Sequence, residues 1–317
     1  MDTKTKIIKI LPFWFTALLL FCAAVILPVL FKADTSAAVA SAQSPQVLGE
    51  STVAADIRGD APPATQLISE IAPVEASSIK AHSFLVFDLA SGQDLLVKNN
   101  GEKFAIASLT KLMTGLVAYN NSNLNSSFAI TNKDRLDVSP SLGLEADDSV
   151  LALDVFNAML IGSNNDAALA LANHTAGQNF VSLMNKQAQD LGMANTSYAN
   201  PLGFDNSDNY STADDLKLLI TQTQKLAAFT DLGRRTSYKF TGSLEKTYST
   251  VATNTLLKDH PDIQAIKTGF TAGANGAMAT KIQIGSHQIV ILVLDSGDRE
   301  GDTLKLKNLV SQDFSVQ

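Results

Sequence analysis

Ala107-Ser108-Leu109-Thr110-Lys111-Leu112-Met113-Thr114-Gly115-Leu116-Val117-Ala118-Tyr119 is apolar on most sides, and that pattern predicts a buried helix. Two polar groups stand at its start. Ser108 and Lys111 are three residues apart, so on a helix they are neighbours, with Cβ atoms about 5–6 Å apart. A serine hydroxyl is a poor nucleophile until a base takes its proton. Lysine becomes such a base only where burial or a nearby cation lowers its pKa. Phe104-Ala105-Ile106-Ala107 and Leu112-Met113 are apolar enough to desolvate it. A position near the helix N-terminus also favours negative charge developing on Ser108.

Outward from this helix the pattern changes on both sides. Ser83–Asp88 and Leu95–Lys98 are apolar runs around Ala90-Ser91-Gly92-Gln93, which predicts a β-hairpin. On the other side, helical patterns cover Leu153–Leu160, Asp166–Thr175 and Asn179–Leu191, the last stopped by Gly192. Asn200-Pro201-Leu202-Gly203 marks a turn. Ser211-Thr212-Ala213-Asp214 resembles a capping box opening a helix to about Leu226. Beyond Thr236 strands return, at Met278–Ile284 and Gln288–Leu294, before a last helix over about Thr303–Val310. Strands at both ends and helices between them imply an α/β chain of the α+β type. Its antiparallel sheet is assembled from the two ends and flanked by helices, with a helical subdomain inserted. No internal repeat is present.

Two further motifs fall in sensible places. Ser163-Asn164-Asn165 interrupts a helical pattern between Gly162 and Asp166. Such a break projects polar side chains into a cleft, where Ser163 is placed to relay a proton to a leaving amine. Asn165 is placed to bind a substrate amide and to hold Lys111. Serine and asparagine are equally favoured as plain helix caps, so this motif alone leaves both readings open. Lys267-Thr268-Gly269 follows Ile263-Gln264-Ala265-Ile266 and precedes Phe270-Thr271, and reads as a strand at a cleft edge. Lys267 would supply positive charge, also next to Lys111, and Thr268 a hydroxyl for a carboxylate. Gly269 permits close backbone approach. The N–H groups of Phe270 and Ser108 would form an oxyanion hole. An ordinary strand ending in a turn glycine is the other reading. Decoys exist at Ser77–Lys80, Ser243–Lys246 and Ser207-Asp208-Asn209, but none has the apolar framing of the three motifs.

The bulk numbers narrow the function further. The chain has 317 residues, 45% hydrophobic and 17% charged, enough for a sizeable core, and a net charge of −7. That charge, without a Lys/Arg cluster, excludes a nucleic-acid surface. A single cysteine, Cys22, excludes an internal disulfide. His82, His174, His260 and His287 show no ligand spacing, so no metal or other cofactor is expected. Lys4, Lys6 and Lys9 precede an uncharged run from Ile10 to Phe31. As a helix it spans about 33 Å, enough for a bilayer core. The lysines place the N-terminus inside and the rest of the chain outside the cytoplasmic membrane. A cleaved signal peptide is the competing reading, with Ala38-Val39-Ala40 and Ala40-Ser41-Ala42 as candidate sites. The expected organisation is a signal or anchor over 1–32, a tether rich in small polar residues over 33–80, and a catalytic domain over 81–317.

The three motifs in this order resemble those of the serine D-alanyl-D-alanine carboxypeptidases among the low-molecular-mass penicillin-binding proteins. The resemblance runs from about Ala81 to Leu309. It includes Ser163-Asn164-Asn165-Asp166-Ala167-Ala168, Leu191-Gly192-Met193, Asn200-Pro201-x-Gly203, Tyr210-Ser211-Thr212-Ala213-x-Asp215-Leu216 and Lys267-Thr268-Gly269-Phe270-Thr271. It implies a sheet domain and a helical subdomain with the site between them. It also implies acylation of Ser108 by the penultimate D-Ala of peptidoglycan stem peptides, with Lys111 as proton acceptor and Lys267 binding substrate. β-Lactams are then expected as covalent inhibitors. Many relatives carry a second C-terminal β domain and an amphipathic anchor not expected here, an N-terminal anchor serving instead. Leu202 stands where His or Thr is frequent. A D,D-endopeptidase cutting cross-links would use the same residues. A β-lactamase is disfavoured, because no glutamate lies between Gly192 and Asn209, and a non-catalytic penicillin-binding module would need a broken site.

Overall fold

The computed structural model describes residues 78–315, with side chains as far as Gln312. The anchor expected over 1–32, and the tether up to residue 77, lie outside the described residues. Among the described residues no helix is long and apolar enough to cross a membrane.

The two ends of the chain do build one sheet. Strands β1 (Ser83–Asp88) and β2 (Asp94–Lys98) form the N-terminal hairpin, and β7 (Ile263–Thr271), β8 (Asn275–Ile284) and β9 (His287–Ser296) a C-terminal meander. They join through β1 against β9, in the order β2-β1-β9-β8-β7, with every pair antiparallel. Ile289 to Leu294 are all fully buried because both faces of the sheet are covered, which is why these strands read as apolar runs without alternation. On one face Phe84, Val86, Ile291 and Val293 pack with Leu306 and Val310 of the last helix, α7 (Arg299–Ser315). On the other, Leu85, Phe87, Leu292 and Leu294 meet the helical block.

That block comprises α1 (Thr110–Asn121), α2 (Ala152–Gly162), α3 (Asn165–Thr175), α4 (Phe180–Asp190), α5 (Ala213–Thr223) and the short α6 (Ala227–Thr230). Helix α1 contacts α2, α3, α4 and α5 and is buried from Thr110 to Ala118. Two small antiparallel ribbons complete the fold, β3 (Ser127–Ala129) with β4 (Ser149–Leu151), and β5 (Ser237–Thr241) with β6 (Thr247–Val251).

Local details depart from the sequence reading. The helix expected from Ala107 begins with a separate 3-10 turn, Ala107–Leu109, before α1. The β3–β4 ribbon has three residues per strand, too short to give a periodic signal. Helix α5 is capped one residue later than expected. Thr212 Oγ1 accepts the N–H of Asp215 at 3.1 Å, while the Asp215 carboxylate takes Asn195 N–H and Thr196 O–H instead of closing the box.

Candidate active site

Five segments converge between the sheet and the helical block. The first is the turn leading into α1. Ala107, directly before Ser108, has a left-handed backbone with φ of 46°, a conformation costing roughly 1–2 kcal/mol for an L-residue. It stands against β7, where a Cβ on Gly269 would lie 2.8 Å from Ser108 N and 2.9 Å from Ala107 Cβ. Only glycine lets that strand come so near the nucleophile's amide.

The second segment is the junction of α2 and α3. Helix α2 ends on Ser163 in a left-handed conformation, φ 60°, where glycine is the usual choice. The strained backbone turns the Ser163 hydroxyl towards β7, where it accepts a hydrogen bond from Lys267 Nζ at 2.8 Å. Asn165 opens α3 and its amide is engaged at both ends. Oδ1 accepts from Lys111 Nζ at 2.9 Å, and Nδ2 donates to Val138 O at 3.0 Å. These bonds leave Nδ2 a second N–H and Oδ1 a second lone pair for the substrate amide that the sequence assigns to this residue. The third segment, the loop through Val138–Leu144, is held by fully buried Asp166. Its carboxylate accepts from Ser141 Oγ and from the N–H groups of Leu142 and Leu144.

The fourth segment is β7. A register shift between Ala265 and Lys267 sets a bulge immediately before the motif, and bulges re-aim the side chains that follow. Lys267 turns into the cleft, 2% exposed, and also donates to Thr268 O. Thr268 Oγ1 lies 2.5 Å from Thr253 Oγ1. Phe270 is largely exposed at the rim. Arg299, from the start of α7, donates to Gly269 O at 2.6 Å and pairs with Glu300.

The fifth segment is the Asn200-Pro201-Leu202-Gly203 turn. Asn200 Oδ1 gathers the N–H groups of Leu202, Gly203 and Phe204. This aims two carbonyls at α1. Leu202 O accepts from Lys111 Nζ at 2.6 Å, and Pro201 O from Thr114 Oγ1 at 2.6 Å. Gly203 sits at φ 86°, and a Cβ there would lie 2.0 Å from Ala107 O. Two residues on, Asp205 clamps the far end of β7, accepting from Thr271 Oγ1 and Gly273 N–H.

Lys111 is thus fully buried among three oxygens, with Ser108 Oγ at 3.0 Å. Burial alone pushes its pKa down to about 7. Lys267, the cation that the sequence places beside Lys111, stands in the same cleft. Burial drives Lys267 well below the ordinary lysine value, and the neighbouring Lys111 and Arg299 charges add to the effect. The arrangement therefore holds a hydroxyl, an amine that is half neutral near pH 7, and a second buried amine whose charged form burial disfavours.

The sequence-selected residues Ser108, Lys111, Ser163, Asn165, Lys267, Thr268 and Gly269 are gathered within this one cleft, with Phe270 at its rim. The Leu202 carbonyl, Asn200, Thr253, Arg299 and Asp205 were not singled out. A backbone carbonyl leaves no mark on its own side chain, although the Asn-Pro-x-Gly turn that carries it was visible. The decoy Ser243–Lys246 lies in the turn of the β5–β6 ribbon, with Lys246 pointing to Gly143 O.

A family model described as D-alanyl-D-alanine carboxypeptidase matches residues 70–298. D-alanyl-D-alanine carboxypeptidase DacF of Bacillus subtilis is 28% identical over 254 residues, covering 74% of this chain and 62% of that protein. The enzyme DacC of Escherichia coli is 32% identical over 238 residues, covering 70% and 58%. This chain therefore spans about three-fifths of the length of these relatives. Among solved structures, penicillin-binding protein D2 of Listeria monocytogenes in its ampicillin-bound form superposes with a TM-score of 0.63. It is 27% identical, covering 73% of this chain and 97% of that one.

Proposed function

The chain belongs to the D-alanyl-D-alanine carboxypeptidase family, and we propose that it is itself a serine-type D-Ala-D-Ala carboxypeptidase working outside the cytoplasmic membrane on peptidoglycan stem peptides. The observation that carries the reading is the setting of Lys111 Nζ. A neutral amine has two N–H groups and one lone pair. Asn165 Oδ1 and Leu202 O can only accept, so they take both N–H groups. The lone pair is then left for Ser108, whose O–H donates to it across 3.0 Å.

In the proposed cycle the substrate's terminal carboxylate lies beside Thr268, and its charge favours the protonated form of Lys267. Asn165 acts through Lys111, and Gly269 gives the peptide backbone room against β7. Ser108 Oγ attacks the penultimate D-Ala carbonyl as its proton passes to Lys111. The N–H groups of Ser108 and Phe270 stabilise the oxyanion. Ser163 relays the proton from Lys111 to the departing amine, giving up its own and taking that of Lys111, so that D-Ala leaves and Lys111 is neutral again; water then hydrolyses the ester with Lys111 as base. β-Lactams, as cyclic acyl donors, stop the cycle at the acyl-enzyme on Ser108. The lysines before the apolar run at Ile10–Phe31 support membrane attachment through the N-terminal segment.

The test is direct. The full chain is incubated with a pentapeptide ending in D-Ala-D-Ala and released D-Ala is measured. Stoichiometric release that Ser108→Ala abolishes supports the reading, and equal release by that variant refutes it.

A further inference from the structure

The N–H of Phe270 and the C=O of Gly269 belong to one planar amide. Arg299 donates to that carbonyl oxygen at 2.6 Å. The amide is trans, so its two polar ends point in opposite directions. Arg299 reaches the carbonyl across β8, where Gly276 is the partner of Phe270. A Cβ on Gly276 would lie 3.2 Å from both Cβ and Cδ of the arginine, so glycine there lets the side chain pass. The Phe270 N–H then points away from β8, to the free edge of β7, the last strand of the sheet among the described residues. On that edge stands the amide of Ser108, against Gly269.

The arginine is held for this contact. Its Nε donates to Glu300 Oε1 at 2.9 Å, which fixes the plane of the guanidinium and leaves Nη1 to the carbonyl. Its side chain is 18% exposed, so water screens the contact little. Helix α7 does not need Arg299 as a tie. Leu306 and Val310 seat the helix on the sheet, and Asp302 in its first turn accepts from Ser296 Oγ and Lys80 N–H.

We propose that Arg299 is a positioning residue for the oxyanion hole: bound to Gly269 O, its cation polarises the shared amide and aims the Phe270 N–H at the oxygen that becomes charged. Positive charge at a carbonyl oxygen favours the resonance form with negative oxygen and positive nitrogen, and an N–H in that form donates more strongly. Chained hydrogen bonds strengthen one another by about 10–30%. One oxyanion donor is worth about 10²–10³ in rate, so a gain of that size on the exponent is about two- to eightfold. The bond tightens when the substrate oxygen gains charge, so the effect falls on kcat rather than on KM. The Arg299 charge also disfavours protonated Lys267, so its removal does not weaken carboxylate binding there. The role of Arg299 rests on the assignment of Ser108 and Phe270 proposed above.

The experiment compares the full chain with Arg299→Met and Arg299→Lys on the pentapeptide ending in D-Ala-D-Ala. In Arg299→Met, kcat should fall about two- to eightfold, with KM no higher than in the wild type. Arg299→Lys keeps a cation on a shorter stem and should fall between the two. A second readout isolates the hole. The acyl-enzyme is formed with benzylpenicillin isotope-labelled at its β-lactam carbonyl, and its infrared difference spectrum is recorded. A weaker N–H donor leaves the ester C=O stiffer, so its band should move to higher wavenumber in Arg299→Met and by less in Arg299→Lys. A role confined to holding α7 would lower the thermal midpoint and leave the band in place. An unmoved band, an unchanged kcat, a loss carried by KM, or a lysine variant equal to the methionine one overturns the proposal. Where Arg299→Met does not fold, Arg299→Lys against the wild type decides on the same two readouts. A wild type that neither releases D-Ala nor forms the acyl-enzyme overturns the catalytic reading, and the positioning role with it.

Discussion

Replacing Lys111 with methionine removes a group that the fold holds against its natural protonation. In the unfolded chain lysine keeps its proton up to about pH 10.5, whereas in the buried site it loses it at about 7. Between these values the unfolded state binds more protons, so the native state gains stability as pH rises. Each unit of pKa difference is worth about 1.4 kcal/mol. The burden on the wild type is therefore about 4 kcal/mol at pH 7 and about 1 kcal/mol at pH 10. The variant carries none of it. It leaves Asn165 Oδ1 and Leu202 O without their donor, at about 1–3 kcal/mol each, but that cost does not vary with pH. Above pH 7 Lys111 is already mostly neutral, so its removal changes little charge beside Lys267, and the contribution of Lys267 cancels between the two proteins. Denaturant unfolding at pH 7, 8, 9 and 10 should thus show the wild type gaining about 3–4 kcal/mol on Lys111→Met across the range. Two stability curves that run parallel would refute the claim that this lysine is held neutral.

Four further outcomes follow from the same geometry. The rate of acylation by a β-lactam should rise with pH to a plateau, with a midpoint near 7 set by Lys111, and stopped-flow labelling across pH 5–9 checks this. Binding of a carboxylate-bearing ligand should draw a proton onto Lys267, which burial holds well below the lysine range. Calorimetry in buffers of different ionisation enthalpy should therefore register net proton uptake. Gly203→Ala places a methyl 2.0 Å from Ala107 O at φ 86°. It should lower the thermal midpoint and slow acylation by more than about tenfold, since a small misplacement of reacting groups has effects of that order. Asn165→Ala deprives Lys111 of one acceptor and Val138 O of its donor. It should slow acylation by about a hundredfold, the lower range for general-base catalysis, and shift the pH midpoint, whereas a purely structural role would leave the midpoint in place.

How much of this was legible in the chain depended on what kind of signal each part leaves. The sheet declared itself through Ser83–Asp88 and Gln288–Leu294, apolar runs with turn residues beside them, and their pairing across the termini followed from the helices between. Ser108 and Lys111 were visible because a hydroxyl and an amine stand out against an apolar helix. Ser163 was visible as a polar break, but its left-handed backbone was not, since nothing in a serine announces that conformation. The third partner of Lys111 is a main-chain oxygen at Leu202, and its placement depends on Asn200 gathering three N–H groups, a tertiary arrangement without a pattern of its own. Arg299 lies 30 residues beyond Gly269 and meets it only because α7 packs back onto the sheet.

The central claim is that Ser108 is the acylated nucleophile of this cleft, and covalent labelling addresses it most directly. The full chain is treated with benzylpenicillin at pH 8, its intact mass measured, and the adduct located by peptide mapping. One penicilloyl group per chain, on Ser108 and lost in Ser108→Ala, is the expected result. An unmodified wild type, or an adduct on any other residue, would contradict the account.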